Sequence, residues 1–152
     1  MKKGLVVLVL CYACSAQQAV TTNLIIPSQS AKTELILLLE ERYGGPENSS
    51  TQIISSEKEL KKFLGFINKT RKPGLRLPKI DFTKNQVLIS CAGITSEPKT
   101  PVLEVFFEDE NTIVIEEKFA KYDLSADNKS VTSPFVIYKL PVLSKKISFK
   151  NP

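Results

Sequence analysis

The chain has 152 residues, with 21 Lys and Arg against 16 Asp and Glu, 42% hydrophobic residues, no His and no Trp. That length makes one domain, which buries about two thirds of the surface its unfolded chain exposes and needs no metal or disulfide staple. Without His, the commonest general base and metal ligand is missing, together with every Ser-His and Cys-His nucleophile pair.

Lys2 and Lys3 precede an apolar run from Gly4 to Ala13. Spanning a bilayer takes about 20 residues, so this shorter run is expected to be a targeting segment and not an anchor helix. It closes on Ala13-Cys14 and the small, polar stretch Ser15 to Gln18. The pattern resembles a bacterial lipoprotein signal, in which a diacylglyceryl group alkylates the Cys thiol and the Cys becomes the first residue. Cys11 stands where Leu is usual, and cleavage near Ala16 or Ala19 by ordinary signal processing is the alternative. Cys11 and Cys14 also spell C-x-x-C, but inside an apolar leader and not at a helix start beside a βαβ unit, where redox centres need it. Each buried acyl methylene contributes about 0.8 kcal/mol, and two or three chains hold a protein on a membrane. The resemblance therefore implies Cys14 as the lipid-attachment residue and a place in the bacterial cell envelope. By the same resemblance, Ser15 in place of an acidic residue after that Cys fits delivery to the outer membrane, and with no acidic cluster directly after it the periplasmic face is expected.

Loss of Lys2 and Lys3 leaves 19 basic against 16 acidic residues, dispersed along the chain. The Lys clusters near Lys61, Lys69 and Lys145 read as solvated faces, and no nucleic-acid partner is expected. Residues 1–13 are read as the signal segment, 14–33 as a polar tether, and 34–152 as a single domain. In that domain, Glu34 to Arg42 and Thr51 to Ser55 bracket the turn chemistry of Gly44-Gly45-Pro46, which favours a hairpin. Ser56-Glu57-Lys58-Glu59 is a capping box, and Leu60, Phe63, Leu64 and Ile67 then mark one face of a helix ending near Asn68 to Thr70. Phe63 and Phe66 are read as core or flanking residues. Pro73, Gly74 and Pro78 make Arg71 to Lys79 a loop. Gln86 to Ala92 reads as a buried strand, and Gly93 to Pro101 as a second loop. Val102 to Glu108 and Asn111 to Lys118 form a hairpin around an acidic turn. Phe119 to Thr132 is mixed, with Asp127-Asn128-Lys129 as a tip, and Pro134 to Leu140 and Lys146 to Phe149 are the last strands. The expected fold is α+β, a mostly antiparallel sheet of six or seven strands with one amphipathic helix.

No catalytic constellation emerges. Cys91 lies in an apolar strand, where a thiol behaves as a small hydrophobe. Neither acidic cluster has calcium-loop spacing, and zinc lacks its ligands. The Gly44-Gly45 pair is followed by Pro46 and not by a phosphate-binding Lys. No metal and no cofactor is expected. Paired carboxylates at Glu40-Glu41, Glu116-Glu117 and within Glu108 to Glu110 keep a carboxylate-dependent hydrolase as a weak alternative. A glycosidase also needs an aromatic-lined cleft.

From Ile53 onward the order of features is informative. A helix leads into Leu77-Pro78-Lys79-Ile80-Asp81-Phe82 and Asn85-Gln86-Val87-Leu88-Ile89, then Val131-Thr132-Ser133-Pro134-Phe135, and finally Tyr138-Lys139-Leu140-Pro141 and Ile147-Ser148-Phe149. This resembles the carboxyl-terminal domain of the protease-complex subunit PrcB family of bacterial envelope lipoproteins. The stretch Gly93 to Pro101 departs from the Gly-rich T-G-G-Y type that family members often carry. The resemblance implies a non-catalytic, lipid-anchored envelope protein that binds and stabilises, or helps to mature, a partner protein, a secreted or surface protease. A module binding envelope glycans or small ligands is the rival reading. Ile80, Asp81, Phe82, Ser133, Pro134 and Phe135 carry the family motifs. Their chemistry favours roles in the fold: a turn at Asp81, a core plug at Phe82, and a Pro opening a strand after Ser133.

Overall fold

The computed structural model describes residues 32–122 and 130–150. In chain order they form β1 (Ile36–Glu41), β2 (Ser50–Ile54), α1 (Glu57–Ile67), β3 (Asn85–Cys91), β4 (Lys99–Glu108), β5 (Thr112–Lys121), β6 (Phe135–Pro141) and β7 (Lys146–Lys150). The α+β expectation is met, with seven strands and one helix among the described residues. One sheet has the order β1-β6-β3-β2, and the other has the order β4-β5-β7. All pairings are antiparallel except β5 with β7.

Three layers follow from alternation along the two central strands. Successive strand residues point to opposite faces. Val87, Ile89, Cys91, Phe135 and Ile137 therefore pack with Ile54 and the helix residues Leu60, Leu64 and Ile67. Leu88, Val136, Tyr138 and Leu140 point the other way, onto Leu103, Val105, Ile113 and Ile115 of the second sheet. Strand β3 is buried on both faces from Gln86 to Cys91, which is why its sequence reads as a continuous apolar run.

Helix α1 starts where the capping box places it. The Ser56 hydroxyl accepts from the Glu59 amide at 3.3 Å. The Glu59 carboxylate reaches one residue further back than expected, accepting from the Ser55 amide at 3.2 Å and the Ser56 hydroxyl at 2.9 Å. The rings of Phe63 and Phe135 meet edge to face at 5.6 Å. Phe66 does not join the core and is 52% exposed.

Two expectations need correction. Strands β1 and β2 do not form a hairpin: β1 pairs with β6 and β2 with β3, at opposite edges of the sheet. The glycines between them serve a close approach. The Gly45 amide donates to the Ser133 carbonyl at 2.9 Å, and a Cβ on Gly45 would sit 2.5 Å from that oxygen. The loop from Gly93 also ends earlier than Pro101, because β4 already starts at Lys99. Pro101 is tolerated there because β4 is an edge strand. The β4–β5 hairpin forms as expected, its turn closed by the Asp109 carboxylate, which accepts from the Asn111 and Thr112 amides at 2.8 and 2.7 Å. The expected tip at Asp127-Asn128-Lys129 lies outside the described residues.

Candidate functional site

Ile80, Asp81, Phe82, Ser133, Pro134 and Phe135 occupy the frame of the fold. Asp81 organises the turn before β3: its carboxylate accepts from the Thr83 amide at 3.0 Å and the Thr83 hydroxyl at 2.5 Å. These two bonds hold its pKa below the ordinary aspartate value. Ile80 and Phe82 pack at the margin of the helix-side core. The Ser133 hydroxyl accepts from the Gly44 amide at 3.0 Å, the Pro134 carbonyl accepts from the Ala92 amide at 2.9 Å, and Phe135 is fully buried. Cys91 is buried too, and burial pushes its thiol up to about 11, despite a bond from Ser50 that acts the other way. A group so protonated is no nucleophile. Cys14 lies outside the described residues.

The carboxylate pairs come apart. Neighbours in a strand face opposite ways, so Glu116 and Glu117 do not converge. Glu116 lies on the outer face of the second sheet, bound to Lys150 at 2.7 Å and Lys118 at 3.5 Å. Its pKa is lowered, chiefly by the Lys150 bond. Glu117 follows Ile113 and Ile115 on the inner face and accepts from the Ser90 hydroxyl of β3. Glu108 is held at the far end of β4 by Lys145 at 2.8 Å and by Thr33. Among the described residues, no group of three or more His, Cys, Asp or Glu could hold a metal ion, and no helix is long and apolar enough to cross a membrane.

Among the described residues, no strand pairs with the outer edge of the four-stranded sheet at β2. An edge strand carries a row of N–H and C=O groups pointing away from its one neighbour, a template for another strand. The other three edges are blunted. Strand β1 has a register shift between Leu37 and Leu39. Strand β4 has Pro101 and a shift between Val105 and Phe107. Strand β7 has Lys146 and Lys150 at its ends. Strand β2, Ser-Thr-Gln-Ile-Ile, has no Pro, no Lys and an unbroken register with β3.

Two grooves flank this edge. On the helix side a groove of about 390 Å³ is lined by Gln52, Ile53, Ile54, Glu59, Lys62, Phe63 and Phe66. Toward the second sheet, a groove of about 560 Å³ is lined by Ser50, Thr51, Ala92, Glu117, Phe119 and Phe149. Along its wall the inner row of β5 changes from Ile113 and Ile115 to Glu117 and Phe119 just past the last described pair of β5 with β7, Glu116 with Lys150. Sequence reasoning missed both grooves. The alternation Ile113-x-Ile115-x-Glu117 was the available signal, since it puts a carboxylate in register with core residues. No known protein family, curated protein or solved structure matches the chain.

Proposed function

We propose that this is a lipid-anchored protein of the bacterial cell envelope that binds and stabilises, or helps to mature, a partner protein by adding a strand of that partner to the edge of β2. The observation that carries the reading is the edge itself, the one of four among the described residues that lacks a blunting feature while apolar surface lies beside it. In strand addition, main-chain hydrogen bonds supply affinity and flanking grooves select side chains. A partner that binds only when folded is stabilised by mass action, by about 2.7 kcal/mol when this chain is present at a hundred times Kd. The likeness to the PrcB family makes a secreted or surface protease the first partner to seek, and Cys14 the anchor.

A photo-crosslinking residue at position 52 of the full chain should trap that partner, and one at position 118, on the outer face of the second sheet, should not. Equal trapping at both positions would refute docking at the edge. For the anchor, Cys14→Ser should move the protein from the membrane to the soluble fraction; unchanged retention would refute lipid attachment.

The groove at Glu117 favours a second reading, a small-ligand or glycan module, because its size falls within the range of small-molecule pockets. Titration with cell-wall sugars that loses its heat in Glu117→Gln would support that reading over the first.

A further inference from the structure

The two grooves lie on opposite faces of one strand, and this makes the chemistry of the partner segment readable. The point rests on strand addition at β2. Partner residues beside Gln52 or Ile54 face the helix, because those positions align with Ile89 and Val87 of the helix-side core. A partner residue beside Thr51 faces the second sheet, because Thr51 aligns with Ser90, whose hydroxyl binds Glu117. Positions 52 and 54 are one and three residues from 51, so side chains entering the two grooves are separated by an odd number of residues.

Each groove also states what it accepts. The helix-side groove offers Phe63 and the half-exposed Phe66 over the buried Ile54, a surface for a branched or aromatic side chain. The other offers a carboxylate. Among the described residues no Lys or Arg nitrogen lies within 4.0 Å of Glu117. Lys99, whose ammonium lies 4.8 Å from the centre of the Phe119 ring, is held by Glu97 at 3.1 Å. A strand added outside β2 lies two strand spacings, about 10 Å, from β3. A side chain reaching Glu117 from there must be long, and among long side chains a carboxylate selects Lys or Arg.

We propose that the β2 edge takes an extended segment of a partner protein bearing an apolar side chain for the Phe63–Phe66 groove and, one or three residues away, a Lys or Arg for Glu117.

The test is selection of displayed nine-residue random peptides on the full chain in detergent micelles. Recovered sequences should pair an apolar with a basic residue at odd spacing. Selection on Glu117→Gln should keep the apolar residue and lose the basic one, and a wild-type-selected peptide should bind that variant about 5- to 10-fold more weakly. Binders with no basic residue, or with even spacing, would overturn the proposal. The underlying reading is checked separately with two N-methylated versions of one selected peptide, blocked at alternate amides. Strand addition requires that one version lose binding and the other keep it; equal behaviour would refute docking at the edge whatever the sequence pattern. Recovery of no binder, or a dimer of the chain that Ile53→Lys dissociates, would overturn both, the latter by assigning the edge to a second copy.

Discussion

The Glu108 side chain is 7% exposed and receives three donors, the Thr33 amide at 2.6 Å, the Thr33 hydroxyl at 2.7 Å and the Lys145 ammonium at 2.8 Å. Burial pushes its pKa up, but the Lys145 and Thr33 bonds outweigh this and leave it below the ordinary glutamate value. A carboxyl lowered on folding contributes stability that is complete above its unfolded pKa of about 4.3 and is lost as the pH falls through the folded value. Glu108→Gln should therefore cost about 1–3 kcal/mol at pH 7 in urea unfolding, and the difference from wild type should shrink below about pH 4. Cys91 poses the opposite case, a thiol whose burial keeps it protonated. Iodoacetamide at pH 8 should leave the Cys91 peptide unmodified in folded protein and modify it fully in denaturant, as read by mass spectrometry of the digest. The role of Asp81 in a turn is legible in the sequence from its Pro-bounded setting. The isolation of Glu117 from Glu116 is legible only to a reader who first fixes which face of β5 is buried.

Among the elements, α1 is the one whose local sequence determines it most fully. The cap, the acidic first turn of Glu57 and Glu59, and the buried row Leu60, Leu64 and Ile67 all agree. Ser56→Ala removes the acceptor for the Glu59 amide and should lower stability by about 1 kcal/mol, and Ser56→Asp, which restores an acceptor, should recover most of it in the same urea titration. The strands are different. Their existence shows in apolar runs, but their neighbours do not, because β1 pairs with a strand nearly a hundred residues away. The Gly-Gly-Pro segment looks like a hairpin turn for a sound reason, turn chemistry, and is used instead where backbone must pass close to Ser133. The open edge of β2 was hidden in the same way: Thr51 to Ser55 reads as a strand, while its place at the sheet margin depends on β3 having β6 as its other neighbour.

At the scale of the molecule, β3 and β6 contribute to both cores, alternate residues facing the helix and the second sheet. Neither core can be lost while the other keeps its central strands. Leu88→Ala, on the sheet side, and Ile89→Ala, on the helix side, should each cost about 2–5 kcal/mol. Both should lower one calorimetric transition without splitting it, and separate melting of a helical and a β signal would contradict the shared-strand arrangement. This layering was partly legible: the unbroken apolar run of β3 indicates a strand covered on both sides, but not what covers it.

The clasp of Thr33 on Glu108 has a mechanical side. Tension arriving through the residues before Thr33 meets two short bonds at the end of the β4–β5 hairpin before it reaches β1. Among the described residues β1 has β6 as its one strand neighbour, with the Arg71–Glu41 ion pair at its far end, and without the clasp it would be peeled away pair by pair. A domain tugged by its amino end is thus gripped first at its second sheet, and the strain bypasses the margin at β2.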